Sequence, residues 1–277
     1  MSTGASQPAV RRVIVGIADT PETDPAVRWG ADHAARIGAD LHLVHAFVWP
    51  LHNVDVDPIP GIAGSGLRGA TDALIAHCSQ VARAAAPGVR VSAEVVDGRA
   101  ADVLLDVSSQ ADVLVVGSRG LGRVLALVMG STSISLARHA HCPVVIVRGD
   151  ALTDGPVSVA YEASELGRQA LRRAGALAAL HDARLEVVIA VATPERERDR
   201  ILETVRREVA ASGGGVDVAI AAHSHAADAR ELIEASEGTR MLVVPARSEE
   251  AVSASSQTSA LVQLAHTPVW VERPLAD

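Results

Sequence analysis

The sequence predicts an α/β fold with two repeated doubly wound domains, each a parallel sheet flanked by helices on both faces. Short runs rich in Val, Ile and Leu alternate along the chain with alanine-rich stretches of helical length. That alternation is typical of a parallel sheet whose two faces are both covered. The order of these runs in the first half recurs in the second half, and short stretches of sequence recur with it.

The first half contains five candidate strands and four candidate helices. Each strand run is short, nearly continuous in apolar character and rich in β-branched residues, as expected for a strand buried on both faces. We expect the strands at 12–17, 40–47, 89–96, 112–117 and 143–148. We expect the helices at 24–37, 67–86, 100–110 and 131–140.

The second half repeats this order. We expect its strands at 156–161, 184–191, 215–222, 240–245 and 268–272, and its helices at 164–180, 194–212, 226–238 and 255–265. The sequence Ala140-His141-Cys142-Pro143-Val144 is echoed by Ala265-His266-Thr267-Pro268-Val269. Because the repeated unit is far longer than about 50 residues, the pattern indicates a duplicated domain rather than a solenoid.

Two irregular stretches interrupt these patterns. Residues 149–155 have turn chemistry and no periodicity, so we take them as a linker between domains 1–149 and 150–277. Residues 49–66 join the second strand to the second helix in the first half only. A loop of this length is either a lid over a binding site or a plain connection, and the sequence leaves both readings open.

Composition excludes several classes of function. The formal net charge is −8, and the few aromatic residues do not cluster with arginines, so we expect no nucleic-acid partner. All 25 basic residues are arginine. Without lysine, the chain cannot use a phosphate-loop lysine, a Schiff-base lysine or a protein-kinase lysine.

Cysteines, histidines and hydropathy give weaker indications. Cys78 and Cys142 have neither metal-ligand spacing nor enough partners for a disulfide framework. The His-x-His pairs at 139–141 and 223–225 have no cysteine or carboxylate at ligand spacing, so no metal site is assigned. The first ten residues have no apolar signal-peptide core, and no apolar run reaches the roughly 20 residues that span a bilayer. We therefore expect a cytoplasmic protein with no membrane partner.

The most informative segment is a glycine-rich stretch after the fourth candidate strand. Gly117 and Gly120 stand at the end of that strand. After nine intervening residues come Gly130 and Ser131, where a helix is expected. Ligands of parallel α/β sheets bind beyond the carboxyl ends of the strands. Glycines let backbone amides approach an anion, and a helix N-terminus adds free N–H groups and partial positive charge. The segment favours a phosphate cradle over a plain glycine-rich connection with a serine cap.

The spacing Gly-x-x-Gly-x9-Gly-Ser resembles the nucleotide-binding signature of the universal stress protein family. Residues 136–147 resemble the family as well, and the second half resembles it without the motif. The resemblance implies a five-stranded parallel sheet of order 3-2-1-4-5 in each domain. It also implies ATP as the ligand, with Mg²⁺ or Mn²⁺ as an optional companion. The residues that it assigns to the nucleotide are Gly117, Gly120, Gly130, Ser131 and Thr132 for the phosphates, Ala46 for the adenine, and Gly16 and Asp19 after the first strand.

The chain departs from the family pattern after the first strand. The family has an aspartate at the position of Ala18, and its carboxylate contacts the ribose or a metal on the phosphates. Asp19 lies one residue further along, but adjacent residues of an extended segment point to opposite sides. This departure puts nucleotide affinity and metal dependence in question rather than the fold.

The second half departs at every glycine of the motif. Pro245 stands in the place of Gly117, Ser248 in that of Gly120, and a serine near Ser255 in that of Gly130. Proline has no amide hydrogen to offer a phosphate. Glu162 falls where the first-strand aspartate would be, without a phosphate cradle beside it. We therefore expect a nucleotide site in the N-terminal domain and a degenerate domain after it.

These observations lead to one hypothesis and one alternative. The hypothesis is an ATP-binding regulator of the stress response with little or no hydrolysis, because no general base or nucleophile stands near the glycines. The alternative is a scaffold or interaction protein of the same fold that binds no nucleotide. We also expect the two domains to pair within the chain through their fifth strands, with a homodimer as a further option through other surfaces.

Overall fold

The computed structural model describes residues 11–48, 66–118, 131–148, 154–190, 195–211, 216–223, 238–246 and 267–274. Strands and helices alternate through these ranges. The elements are β1 (Arg12–Ile17), α1 (Thr23–Ile37), β2 (Asp40–Phe47), α2 (Leu67–Ala85), β3 (Val91–Asp97), α3 (Ala100–Ser108), β4 (Val113–Gly117), α4 (Ser131–His139), β5 (Val144–Val147), β6 (Val157–Tyr161), α5 (Glu165–Leu180), β7 (Leu185–Ala190), α6 (Glu195–Ala211), β8 (Val218–His223), β9 (Met241–Pro245) and β10 (Val269–Glu272).

The α/β fold class expected from the sequence is confirmed. Each helix and strand of the described ranges begins and ends within three residues of the position expected from the sequence. The expected helices at 226–238 and 255–265 lie almost entirely outside the described residues, as do most of the loop 49–66 and the linker 149–155. Among the described helices, none is long and apolar enough to cross a membrane.

The strands of the described ranges form one ten-stranded sheet in the order β3-β2-β1-β4-β5-β10-β9-β6-β7-β8. Within the first half this is the expected order 3-2-1-4-5, and the second half has the same order in mirror sequence. The pairs inside each half are parallel. Parallel neighbours need crossover connections, which the helices on the two faces provide.

The two halves also share their strand registers. Val13 lies opposite Leu41 and Val113 in the first half. In the second half Val157, the equivalent of Val13, lies opposite Leu185 and Met241 in the same way. Alternating residues of these strands are buried on opposite faces, so a slip of one residue would exchange the two sets. The same apolar pattern therefore fixes the same register twice.

Strands β5 and β10 join the halves at the centre of the sheet. They run antiparallel, with Val145 opposite Trp270 and Val144 opposite Val271. Both strands are fully buried. The pairing covers the edge that each half would otherwise expose, and unpaired edges attract other chains.

A polar network lies beside this junction on the face that carries α1 and α5. Glu272 is 0% exposed and accepts hydrogen bonds from Trp270 Nε1 at 2.7 Å and Arg173 Nε at 3.1 Å. The Arg173 guanidinium also lies 5.4 Å from the centre of the Trp270 ring. Buried charges are tolerated when they are paired and hydrogen-bonded, as here.

Aromatic rings from α1 complete the junction. His33 is buried, and its ring stacks on that of Trp29 with centroids 5.0 Å apart. The His33 and Trp270 rings meet in an edge-to-face arrangement with centroids 5.6 Å apart. Burial, with smaller contributions from the nearby His181 and Arg173, lowers the pKa of His33 to about 4. His33 is therefore neutral in the folded protein at neutral pH.

Candidate functional site

The carboxyl ends of β1, β2 and β4 meet at one edge of the sheet. Ile17 lies opposite His45, and Gly16 lies opposite Val116. Gly117 is the last residue of β4, and Ala46 follows His45 on β2. Three residues expected at the site, Gly16, Ala46 and Gly117, are therefore brought to the same edge, where parallel sheets bind ligands.

The loop between β1 and α1 is fastened by Thr23, the first residue of α1. The Thr23 hydroxyl accepts a hydrogen bond from the Ala18 amide at 3.2 Å and donates one to the Ala18 carbonyl oxygen. Ala18 is half-buried, while Asp19 is exposed. The backbone of Ala18, which stands in place of the family aspartate, is thus fixed by Thr23. Its methyl side chain cannot form a hydrogen bond.

His45 has a defined tautomer at this edge. Its Nδ1 lies 3.0 Å from the Ile17 carbonyl oxygen. A carbonyl oxygen only accepts, so Nδ1 carries the hydrogen and Nε2 of the neutral ring is left as an acceptor. The ring centroid lies 5.9 Å from that of Phe47. Sequence reasoning identified Ala46 but not His45.

Helix α4 starts next to the end of β4. Ser133 is buried, and its hydroxyl donates to the Gly117 carbonyl oxygen at 3.2 Å. Ser131 is exposed and Thr132 is half-buried in the same first turn. The two ends of the glycine-rich segment are therefore brought together, with the amides of the α4 N-terminus near the edge of the sheet. Gly120 and Gly130 lie outside the described residues.

Two of the expected glycines are also closely packed. A Cβ atom on Gly117 would lie 2.9 Å from Glu22 Cβ and 3.0 Å from the Glu22 carbonyl oxygen. A Cβ atom on Gly16 would lie 2.8 Å from a methyl group of Leu104. A side chain at position 117 would therefore displace the β1–α1 loop, whereas one at position 16 would require the Leu104 side chain to move.

The equivalent edge of the second half is built differently. Pro245 ends β9 opposite Glu272, as Gly117 ends β4 opposite Val147. Glu162 accepts a hydrogen bond from the Ser164 hydroxyl at 2.8 Å. That hydroxyl in turn accepts from the Gly167 amide at 2.9 Å, which caps α5. Glu162 is thus engaged with a helix cap, and Ser248 and Ser255 lie outside the described residues.

Metal and thiol chemistry find little support in the described residues. No group of three or more His, Cys, Asp or Glu side chains there is placed to hold a metal ion. Cys78 and Cys142 are both buried, and burial raises the pKa of their thiols to about 11 and about 12. Thiols that stay protonated at neutral pH are poor nucleophiles.

Sequence reasoning missed the roles of Thr23 and Ser133. Thr23 is a hydroxyl residue in the first turn of a helix, a common type of residue there, and its contact with Ala18 requires knowledge of the loop path. Ser133 was one of three hydroxyl residues at the start of α4. Only the folded chain separates the buried Ser133, which binds Gly117, from the exposed Ser131.

Comparison with known proteins agrees with this architecture. Residues 9–148 match the model of the universal stress protein family. The chain is 33% identical to universal stress protein Rv2624c of Mycobacterium tuberculosis over 156 aligned residues. The aligned region covers 56% of this chain and 54% of that protein. It is 37% identical over 159 residues to universal stress protein Rv2623 of the same organism, covering 54% and 50%. The match thus spans about half the length of these curated relatives.

A solved structure extends the likeness to nearly the whole chain. The crystal structure of a universal stress protein from Archaeoglobus fulgidus DSM 4304 superposes with a TM-score of 0.72, covering 95% of this chain and 96% of that one. Its sequence identity is 17%, so this likeness shows the fold alone. Because the family model matches half of the 277 residues, the chain belongs to the universal stress protein family.

Proposed function

We propose that this protein is an ATP-binding regulator of the stress response with a single nucleotide site in its first half. The observation that carries the proposal is the hydrogen bond from the Ser133 hydroxyl to the Gly117 carbonyl oxygen, 3.2 Å long. It ties the start of α4 to the end of β4, so the two ends of the glycine-rich segment lie together at one edge of the sheet. Family membership supports a nucleotide as the ligand of this segment.

The described residues fit the triphosphate end of such a ligand. The first amides of α4 have no partners within the helix, and the helix N-terminus carries partial positive charge. Ser131 and Thr132 add hydroxyl groups in the same turn. Gly120 and Gly130 are proposed to complete the cradle with backbone amides. Backbone binding of this kind suits a chain that has no lysine.

The remaining assignments concern the nucleoside. Gly16 and Ala46 are the penultimate residues of neighbouring strands at the same edge, which suits contacts with the ribose and the adenine. Asp19 is exposed beside them and is the proposed substitute for the missing aspartate, with Mg²⁺ or Mn²⁺ as an optional companion of the phosphates. In this proposal ATP supplies charge and shape rather than a reacting group. We therefore propose binding with little or no hydrolysis.

We propose that residues 150–277 form a second, degenerate domain without a nucleotide. The repeated strand order and register support the duplication. At its fourth strand, Pro245 has no amide hydrogen for a phosphate. Glu162 adds negative charge near the end of β6, and a triphosphate would be repelled by it.

A second candidate function is a scaffold of the same fold without nucleotide. The observation that favours it is Ala18, whose amide and carbonyl groups are both hydrogen-bonded to Thr23. Neither group is then free to replace the contacts of the family aspartate. The scaffold reading requires that purified protein be empty of nucleotide and unresponsive to added ATP.

Native mass spectrometry and an ATP titration separate the two candidates. We expect the purified chain to retain adenine nucleotide or to bind added ATP, and the double variant Ser131→Ala/Thr132→Val to bind it several-fold more weakly. The matched control is Ser109→Ala, which removes an exposed hydroxyl after α3 at the other end of the sheet. Wild-type protein that is empty and does not bind ATP would exclude the nucleotide reading.

We also propose that the two halves work as a pair joined through β5 and β10. The antiparallel register, with Val144 opposite Val271, supports this pairing. The test is a Val144→Cys/Val271→Cys variant in which Cys78 and Cys142 are replaced by serine. Mild oxidation should form a disulfide within one chain. Cross-linking between chains only, at low protein concentration, would contradict pairing within the chain.

A further inference from the structure

Helix α4 is too short to be stable by itself. It spans nine residues, Ser131–His139, and isolated helices shorter than about 12–15 residues are marginal in water. Its start is tied to β4 by Ser133, and Leu136, fully buried, anchors its middle. Its other end must be fixed as well if the first turn is to keep one position at the edge of the sheet.

The end of α4 is held by an arginine from the other half of the chain. Arg273 Nε donates to the Ala140 carbonyl oxygen at 2.9 Å. Its Nη1 donates to the carbonyl oxygens of Ala137, at 3.3 Å, and Arg138. The last carbonyl groups of a helix lack partners within it, and a cation there also complements the negative end of the helix dipole. One planar guanidinium therefore satisfies three carbonyl groups of this helix end.

Arg273 is itself fixed by the second half. It directly follows β10, and its carbonyl oxygen accepts a hydrogen bond from Gln169 Nε2 of α5 at 2.8 Å. The same nitrogen donates to Glu272 Oε1 at 3.0 Å. Glu272 is fully buried and bound to Arg173 and Trp270. A continuous set of contacts thus runs from α5, through the end of β10, to the end of α4.

We propose that Arg273 is a positioning residue for the nucleotide cradle, and that the second half acts as a brace on the helix whose first turn faces the phosphates. This inference rests on the proposed function. It gives the half that lacks the glycines a role in binding: its contact with α4 raises the affinity of the first half for nucleotide. By linkage, nucleotide binding strengthens the same contact to the same degree.

A sequence signal accompanies this role. The last strand of each half is followed directly by an arginine, Arg148 after β5 and Arg273 after β10. The two strands occupy equivalent places in the halves, with Val147 and Glu272 as their last residues. An arginine directly after the last strand is therefore a feature of both halves. Because β10 pairs with β5, Arg273 lies next to the first half.

The test compares ATP affinity in Arg273→Ala, Arg273→Lys and a matched control, Arg172→Ala, using titration calorimetry on the full chain. Arg172 lies on α5 of the same half and pairs with Glu165 and Glu208 rather than with α4. We expect Arg273→Ala to raise the ATP Kd about fivefold or more, as typical couplings do. Arg273→Lys should recover part of the loss because it keeps the charge without the planar fork. Arg172→Ala should bind as wild type does.

Hydrogen exchange without nucleotide provides an independent measurement. The Ala140 amide, bonded to the Leu136 carbonyl oxygen at 3.0 Å, should exchange faster in Arg273→Ala, while amides of β1 should not change. A wild-type chain that binds no ATP would contradict the proposed function. Faster exchange at Ala140 in Arg273→Ala would even then show that Arg273 stabilises the end of α4. Unchanged ATP affinity in Arg273→Ala, with or without faster exchange, would overturn the inference. If Arg273→Ala does not fold, the decision passes to Arg273→Gln by the same criteria.

Discussion

The ends of β4 and β9 occupy equivalent places in the two halves and carry different chemistry. Gly117 ends β4 opposite Val147, and Pro245 ends β9 opposite Glu272. The strands before them have the same pairing and the same buried faces. The fold therefore depends on apolar residues that both halves keep, whereas the proposed nucleotide cradle depends on a few residues at strand ends that only one half has.

A second difference lies at the junction between the halves. The last strand of the first half, β5, is entirely apolar, whereas β10 contains Trp270 and Glu272. The half that lacks the glycines of the motif thus has the more elaborate contacts at the centre of the sheet. We infer that it has kept a supporting role, and the variants below break or sharpen this comparison.

The largest effect on stability is expected at Glu272. Glu272→Ala leaves the buried Trp270 Nε1 without its acceptor and Arg173 without its partner. Loss of one member of a buried ion pair costs about 3–5 kcal/mol in unfolding free energy, and Arg173 is part-exposed, so we expect about 3. Denaturant unfolding measures this loss. Glu272→Gln, which keeps an acceptor oxygen, should lose less, and equal losses would contradict a stabilising contribution from the hydrogen bonds that this oxygen can still accept.

The next effect is on the pH dependence of stability and involves His33 of α1. The equivalent residue of α5 is the buried Leu177. Unfolded histidine takes up a proton near pH 6.5, whereas folded His33 does so only near pH 4. The unfolded state therefore binds more protons between these values, and stability falls as the pH drops from about 6.5 to about 4. The loss is about 3 kcal/mol at its largest.

His33→Leu removes this contribution and gives α1 the residue found in α5. Its unfolding free energy should lose less than that of wild type between pH 8 and pH 4.5, as measured by denaturant titration. His181, whose pKa burial also lowers to about 4, remains as a second source of acid sensitivity. An unchanged pH dependence in His33→Leu would contradict the buried neutral state of His33.

A smaller effect is expected for nucleotide affinity at Ala18. Ala18→Asp restores the carboxylate that the family has after its first strand, and a charge-assisted hydrogen bond contributes about 1.5–3 kcal/mol. ATP should bind about tenfold tighter or more, especially with Mg²⁺ or Mn²⁺ present, as measured by titration calorimetry. Unchanged or weaker binding would indicate that Asp19 or another group already fills this role.

The smallest effect compares the ends of α1 and α5. Gly38 follows α1 with φ of 65°, and Asp182 lies at the corresponding place after α5 with φ of 51°. A left-handed conformation is unfavourable for a residue with a Cβ atom, and aspartate tolerates it better than most. Asp182→Gly should raise the unfolding free energy by about 0.5–1 kcal/mol, and Gly38→Asp should lower it by a similar amount. Changes of the same sign in both variants would contradict this explanation.

Much of the fold could be predicted from the sequence because it depends on local apolar pattern. Runs such as 113–116 and 144–147 are buried on both faces, and their continuous apolar character signals this directly. The strand order within each half followed from the family resemblance. The cradle itself stays a prediction, and it could be made because glycine and serine spacing is local to one strand-to-helix connection.

Other contacts could not be predicted because they depend on the path of the folded chain. Thr23 reaches back to Ala18, and Arg273 reaches α4 across 133 residues of sequence to Ala140. Glu272 would be expected to face water in a strand near the chain's end, yet it is buried against Arg173 of α5. No periodicity identifies such partners, since the charge and the partner that neutralises it lie on different elements.

The most direct test of the central claim is the number of nucleotides bound per chain. Titration calorimetry of the full chain with ATP should give about one site, and Ser131→Ala/Thr132→Val should weaken that same site. A Pro245→Gly variant, which gives β9 a glycine at its end, should leave the stoichiometry at one because Glu162 and the other differences remain. Two equivalent sites in the wild type, or a site that survives the cradle variant unchanged, would contradict the assignment of nucleotide binding to the first half.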